Sequence, residues 1–139
     1  MIGGRVLDAT AIGDIVIGRT VYGGAFVRAA QQVGITLVLP AVALQEAWAA
    51  CQEKDWPFVE LLLALPVTVV DPLDASAAER SALLGRPTAA RHAAPTSFDA
   101  AASHAVVVAR DRGWPILTAD VRRIRVLDAT IPVESLPVG

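Results

Sequence analysis

Short runs rich in apolar and β-branched residues recur along the chain, as GRVLD, ITLVLP, PVTVVDP, WPILTAD and IPVESLP, with helical patterns between most of them. That alternation is the strongest constraint on the fold. Strands separated by helices pair in parallel, because a parallel neighbour needs a crossover long enough to hold a helix. The intervening segment ATAIGDIVIG reads as a helix weakened by glycine. VYGGAFVRAAQQVG has helical spacing at Val21, Phe26, Ala29, Ala30 and Val33, and Gly34 closes it. Pro40 ends ITLVLP and suits the start of the helix AVALQEAWAACQEKD. WPFVELLLAL has Pro57 in its first turn, DASAAERSALLG is stopped by Gly85, and SFDAAASHAVVVARDRG by Gly113. RPTAARHAAPT, which includes His92, shows no apolar period and predicts a loop, and VRRIRVLDA a short helical or irregular piece. The expectation is a single α/β domain over residues 1–139 with a mostly parallel sheet.

Several function classes are disfavoured at once. No uninterrupted apolar run reaches the roughly 18 residues that span a bilayer, and MIGGRVLDAT does not resemble a secretory signal. A cytoplasmic protein with no membrane association is expected. Cys51 is the only cysteine, which excludes an intramolecular disulfide and a thiolate zinc cluster; it reads as a small buried residue on a helix. The formal net charge of -2 is not that of a basic nucleic-acid-binding domain. Lys54 is the only lysine, however, and arginine forks suit phosphate. If several acids gather around cations, the remaining surface is net positive.

The acids fall at informative places. Asp8 ends the first strand and Asp120 follows WPILT, at strand carboxyl ends, where open parallel sheets bind ligands. Each also fits the N-cap of the helical piece after it. Glu46 lies among Val42, Ala43, Ala47 and Ala50, so its carboxylate must face solvent, find a partner or bind a cation. Asp99 opens the long helix, and Thr96-x-x-Asp99 has the spacing of a capping box. Carboxylates converging from such places would raise one another's pKa unless a cation neutralised them. Oxygen donors without Cys or His favour Mg²⁺ or Mn²⁺, ions that activate water and clamp phosphodiester oxygens. VLDAT occurs twice, at 6–10 and 126–130; the second copy leads into a strand, and Asp128 reads as a turn residue. Asp14 reads as a solvated helix position, and His104 as turned away from Asp99. Trp48, Trp56 and Trp114 read as core or dimer contacts, and IVIGRTVYGGAFV as part core, part exposed patch.

In order and spacing, VLDAT with Asp8, LPAVALQEA with Glu46, SFDAAASHAVVVARDRG with Asp99 and WPILTAD with Asp120 resemble the PIN-domain ribonucleases, and among them the VapC-type toxins of toxin-antitoxin pairs. The resemblance spans nearly the whole chain. It implies a PIN-like three-layer sandwich, a mostly parallel central sheet flanked by helices, and a metal-dependent endoribonuclease. On it, Asp8, Glu46, Asp99 and Asp120 would be the catalytic acids holding Mg²⁺ or Mn²⁺. Thr118 and Thr10 would steady them through their hydroxyls, while Arg122, Arg123 and Arg125 could meet RNA phosphates. A small cognate antitoxin and a homodimer are the implied partners. AIGDIVIGRTVYGGAF departs from the usual opening helices in its glycine content. Two alternatives remain: a non-catalytic PIN-like RNA- or protein-binding regulator, and a phosphate-receiving signalling domain. The latter wants a lysine at a later strand end, which Lys54 does not supply.

Overall fold

The computed structural model describes residues 3–92 and 98–137. Five strands, β1 (Gly4–Leu7), β2 (Thr36–Pro40), β3 (Thr68–Asp71), β4 (Ile116–Thr118) and β5 (Val133–Ser135), form one sheet in the order β3-β2-β1-β4-β5. Every pairing is parallel. The helices are α1 (Ala9–Ile17), α2 (Val21–Val33), α3 (Ala41–Ala50), α4 (Trp56–Ala64), α5 (Ala75–His92), α6 (Ala100–Arg112) and α7 (Val121–Arg125). From β1 the chain builds outward through β2 and β3, then returns to the other side of β1 for β4 and β5. The carboxyl ends of β1 and β4 therefore flank the topological switch point, where such sheets open a crevice.

Side-chain alternation along the strands divides the core in two. Leu7, Leu37, Leu39 and Leu117 face one way, packing with Ile12, Val16, Ala43, Ala47, Val59 and Leu62 from α1, α3 and α4. Val6, Val38 and Ile116 face the other way, against Ala105, Val106 and Ala109 of α6 and Ile124 of α7. Helices thus cover both faces of a parallel sheet, as in the PIN-like sandwich. α5 packs against α6. Complete burial of Val6, Leu7, Leu37, Val38, Leu39 and Ile116 contributes about 1.5–3 kcal/mol per side chain before conformational entropy is subtracted.

Two helix boundaries differ from the sequence expectation. α5 does not stop at Gly85 but runs to His92, taking up the first part of the expected loop; residues 93–96 of that loop lie outside the described residues. Gly85 serves close approach instead: a Cβ there would come within 2.5 Å of the Phe98 ring and 2.6 Å of Ser103 Oγ. The helix after β2 ends at Ala50 rather than at Asp55, because Cys51 turns extended (φ -88, ψ 156), and a 3₁₀ turn over Glu53–Asp55 leads into α4. Cys51 is buried, as expected, with its thiol donating to the Trp48 carbonyl at 3.2 Å. The apolar stretch after Gly13 is mixed: Val16 is buried, whereas Ile17, Val21 and Tyr22 are exposed.

Candidate active site

Asp8 leaves β1 in extended conformation and caps α1, its Oδ1 accepting the Ala11 amide at 2.9 Å. The Thr10 hydroxyl donates to the same oxygen at 2.7 Å, and the Thr118 hydroxyl to Oδ2 at 2.5 Å. Each threonine oxygen is itself oriented from behind: Ala119 N–H donates to Thr10 Oγ1 and Asp120 N–H to Thr118 Oγ1, both at 2.9 Å. With those amides donating, both hydroxyl protons point at Asp8, and the turn after β4 is tied to the end of β1. Asp8 is 2% exposed. Burial pushes its pKa up, against the pull of Thr118, Thr10, the Ala11 amide and the charge of Arg123.

Arg123 connects the remaining acids. Its backbone N–H donates to Asp120 Oδ1 at 3.3 Å, so that Asp120 caps α7. Its guanidinium forks onto Asp99, Nε to Oδ2 at 2.6 Å and Nη2 to Oδ1 at 2.8 Å. It forks equally onto Glu46, Nη1 to Oε2 at 2.8 Å and Nη2 to Oε1 at 2.7 Å. Such double bidentate pairing is among the stronger charge-assisted arrangements. The Asp99 hydrogen bonds, then those of Glu46, drive the Arg123 pKa above its ordinary value. Burial raises the Asp99 carboxyl, but Arg123 and the Ala102 amide that it caps outweigh this, and its pKa is lowered. One residue thus reaches all four sequence-predicted acids: Asp120 by its amide, Asp99 and Glu46 by its side chain, and Asp8 through its charge. Among the described residues no three His, Cys, Asp or Glu side chains converge as a ligand set, and the guanidinium bridges two of the four acids. A cleft of about 410 Å³ beside them is lined by Thr10, Asp14, Arg19, Glu46 and Asp120 among others.

The other candidates are distributed as follows. Asp14 is buried rather than solvated, because the turn between α1 and α2 brings the Thr20 hydroxyl to its Oδ2 at 3.0 Å. Arg122 is exposed. Arg125 donates to the Ile131 carbonyl at 2.6 Å, which braces the approach to β5. His104 is fully buried, with Val42 N–H directed at Nδ1 at 3.5 Å; burial lowers its pKa and keeps it neutral, away from the acids. Trp114 lies under Gly3 and Gly4 with the Arg112 guanidinium 5.5 Å from its ring centre, Trp48 packs on the core, and Trp56 is partly exposed. The role of Arg123 as the acids' counter-ion was not anticipated. The available signal was Glu46, an acid in an apolar stretch that needed a partner.

A parallel three-layer α/β sandwich with acids at its switch-point crevice is the class that fold and site define. No family model matches the sequence, and no curated protein matches it. Solved structures do match in fold. A chain from VapBC2 of Rickettsia felis, bound to a DNA fragment from their promoter, superposes with a TM-score of 0.67 at 11% identity, covering 99% of this chain and 100% of that one. A chain of FitAcB from Neisseria gonorrhoeae gives a TM-score of 0.62 at 18% identity, over 93% of this chain and 95% of that one. Both are antitoxin–toxin complexes. These findings correct the resemblance drawn from the motifs: membership of the PIN-domain ribonucleases, and of their VapC-type toxins, gives way to a likeness of fold with chains of antitoxin–toxin assemblies. Aspartates ending strands and capping helices are common in any α/β sandwich, as is a glutamate within a helix, which is why four such motifs in order did not define a family.

Proposed function

We propose that this chain is a divalent-metal-dependent endoribonuclease acting as the toxin of a toxin–antitoxin pair. The observation that carries the reading is the pairing of Glu46 and Asp99 with one guanidinium at the switch-point crevice, whose strand ends carry Asp8 and Asp120. Two carboxylates that share one cation there support a crevice that favours positive charge. Asp8, Glu46, Asp99 and Asp120 would hold Mg²⁺ or Mn²⁺. When bound, such an ion supplies an activated water and neutralises charge building on the phosphodiester. The chain's own part is positioning. Thr10 and Thr118 aim and desolvate Asp8, and the helix amides fix Asp99 and Asp120 by one oxygen each. Exposed Arg122 would meet the RNA backbone.

The toxin role rests on the fold shared with antitoxin–toxin complexes. Val21 and Tyr22 of α2, with Phe58 and Leu61 of α4, are exposed apolar side chains that suit protein partners, a small antitoxin and a second copy of the chain. The test is cleavage of a mixed RNA pool by the purified chain with Mn²⁺ or Mg²⁺, beside an EDTA control and Asp99→Asn. Cleavage that needs both the ion and Asp99 is expected. One observation favours a non-catalytic RNA- or protein-binding regulator instead: the Arg123 guanidinium neutralises Glu46 and Asp99 within the chain itself. RNA binding without ion-dependent turnover would establish that reading.

A further inference from the structure

Val42, Gln45, Glu46 and Ala49 recur at helical spacing along one face of α3, and with Phe98 and Asp99 they line a groove of about 660 Å³ at the start of α6. Its size is that of a small-ligand cleft. It adjoins the cleft already described, since Glu46 lines both. We propose that this groove is a nucleobase subsite, in which an unpaired base of single-stranded RNA stacks on the Phe98 ring and presents its edge to Gln45. The inference rests on the RNA part of the reading above and names what the site grips; it needs no metal ion.

Three observations carry it. Phe98 is 37% exposed although aromatic, and it lines the groove while one edge of its ring is seated on α5. Gly85 makes that seat: a Cβ there would come within 2.5 Å of Phe98 Cε2 and 2.8 Å of Cδ2, so the missing side chain lets the ring lie against the helix. A ring held in place beforehand spares part of the ordering cost of binding. The charge of the wall then selects what can lie on it. Glu46 and Asp99 are two carboxylates against the single Arg123 guanidinium, so the wall stays net negative; a phosphate is repelled there and a neutral base is not. Finally, the groove differs from a protein-docking face. Val21, Tyr22, Phe58 and Leu61 on α2 and α4 are several exposed apolar side chains, whereas here one flat ring stands among Gln45, Glu46 and Asp99. A flat apolar face beside polar groups matches a base, which has a π-face and a hydrogen-bonding edge.

The experiment is fluorescence anisotropy of a short labelled oligoadenylate with the full chain in EDTA, so that no divalent ion contributes. Adenine is the probe because a glutamine amide pairs with its edge. Phe98→Leu keeps an apolar side chain on Gly85 but removes the flat ring, and is expected to bind about 5- to 100-fold more weakly than the parent. Leu83→Ala, an exposed apolar change elsewhere on α5, should stay within about twofold. An abasic strand of the same length keeps the charge and lacks the base, so parent and Phe98→Leu should bind it alike. In the parent chain the Phe98 ring-proton NMR signals should move with oligoadenylate and stay in place with the abasic strand. That measurement needs no variant and decides the matter should Phe98→Leu misfold by circular dichroism. If the parent binds oligoadenylate, Phe98→Leu binds it equally and the ring signals do not move, the base subsite is refuted; the RNA reading stands and the groove is left to a protein partner. If the parent binds neither strand, the RNA reading falls and this inference falls with it.

Discussion

In both copies of VLDAT the aspartate Oδ1 accepts the hydroxyl of the threonine two residues on, at 2.7 Å from Thr10 to Asp8 and 2.8 Å from Thr130 to Asp128. It also accepts the amide three residues on, Ala11 at 2.9 Å in one copy and Ile131 at 3.1 Å in the other. The pentapeptide thus encodes one local turn twice. What differs is Oδ2. For Asp8 it is met by Thr118, 110 residues away, inside the crevice. For Asp128 it is met by Arg110 on the surface, through Nε at 3.0 Å and Nη2 at 2.8 Å. Burial pushes the Asp8 pKa up. Burial raises Asp128 as well, but the Thr130 amide and hydroxyl and the Arg110 guanidinium outweigh it and hold the pKa at about 2. The local sequence specifies the cap; the partner contributed by β4 buries one copy in the crevice, and the other remains a surface turn.

The largest effect that could break this comparison is on RNA cleavage. On the proposed function, Asp8→Asn is expected to lower the rate by more than about 100-fold, the loss that follows removal of a charged group from an ion's shell. Asp128→Asn is expected to leave it within about twofold. Initial rates on one RNA pool at saturating Mn²⁺ check both, and similar losses would mean that the two copies share a role.

The next effect tests the partner of Oδ2. Thr118→Val keeps the shape of the strand end but leaves a buried carboxylate oxygen without its donor, which should cost about 1–3 kcal/mol in urea unfolding. Cleavage should fall about 10- to 100-fold, because a mis-aimed acid still carries its charge. Thr130→Val, at an exposed turn whose amide still caps Asp128, should cost less than about 1 kcal/mol and leave cleavage unchanged. An undisturbed Thr118→Val would place the special character of Asp8 elsewhere than in its hydroxyl partner.

The sequence made legible what has a short-range code. Strand alternation separated Leu7, Leu37 and Leu117 from Val6, Val38 and Ile116, and strand-end and helix-start positions located Asp8, Asp99 and Asp120. Gly85 was misread because glycine ends helices and also lets two helices approach closely, and only the position of Phe98 and Ser103 decides between them. Asp14 was misread because its donor, Thr20, arrives across a turn. Arg123 was the least legible as the acids' counter-ion. Its two acid partners lie 77 and 24 residues away, on α3 and at the N-cap of α6, and no periodicity encodes a contact between elements so far apart in sequence.

The smallest effect sharpens the comparison through pH. Asp128 has a folded-state pKa of about 2 against an ordinary 3.8, so its carboxylate stabilises the fold fully above pH 3.8, and that contribution is lost as pH falls to about 2. With Arg110 half exposed, solvent limits the contribution to about 1 kcal/mol or less, and Asp128→Asn should lower stability by that amount at pH 7 and by almost nothing near pH 2. Asp8 has the opposite sign. Its pKa is raised on folding, so the ionised form is disfavoured in the native state, and stability drains away as pH rises from 3.8 through the raised value. Asp8→Asn removes that buried charge and should melt above the parent chain at pH 7, with the gap closing as pH falls below 3.8. Thermal melts of the parent and both variants across pH 2 to 7 read the two slopes, and slopes of equal sign would show that Asp8 is stabilised as an ordinary cap and has no strained charge awaiting a cation.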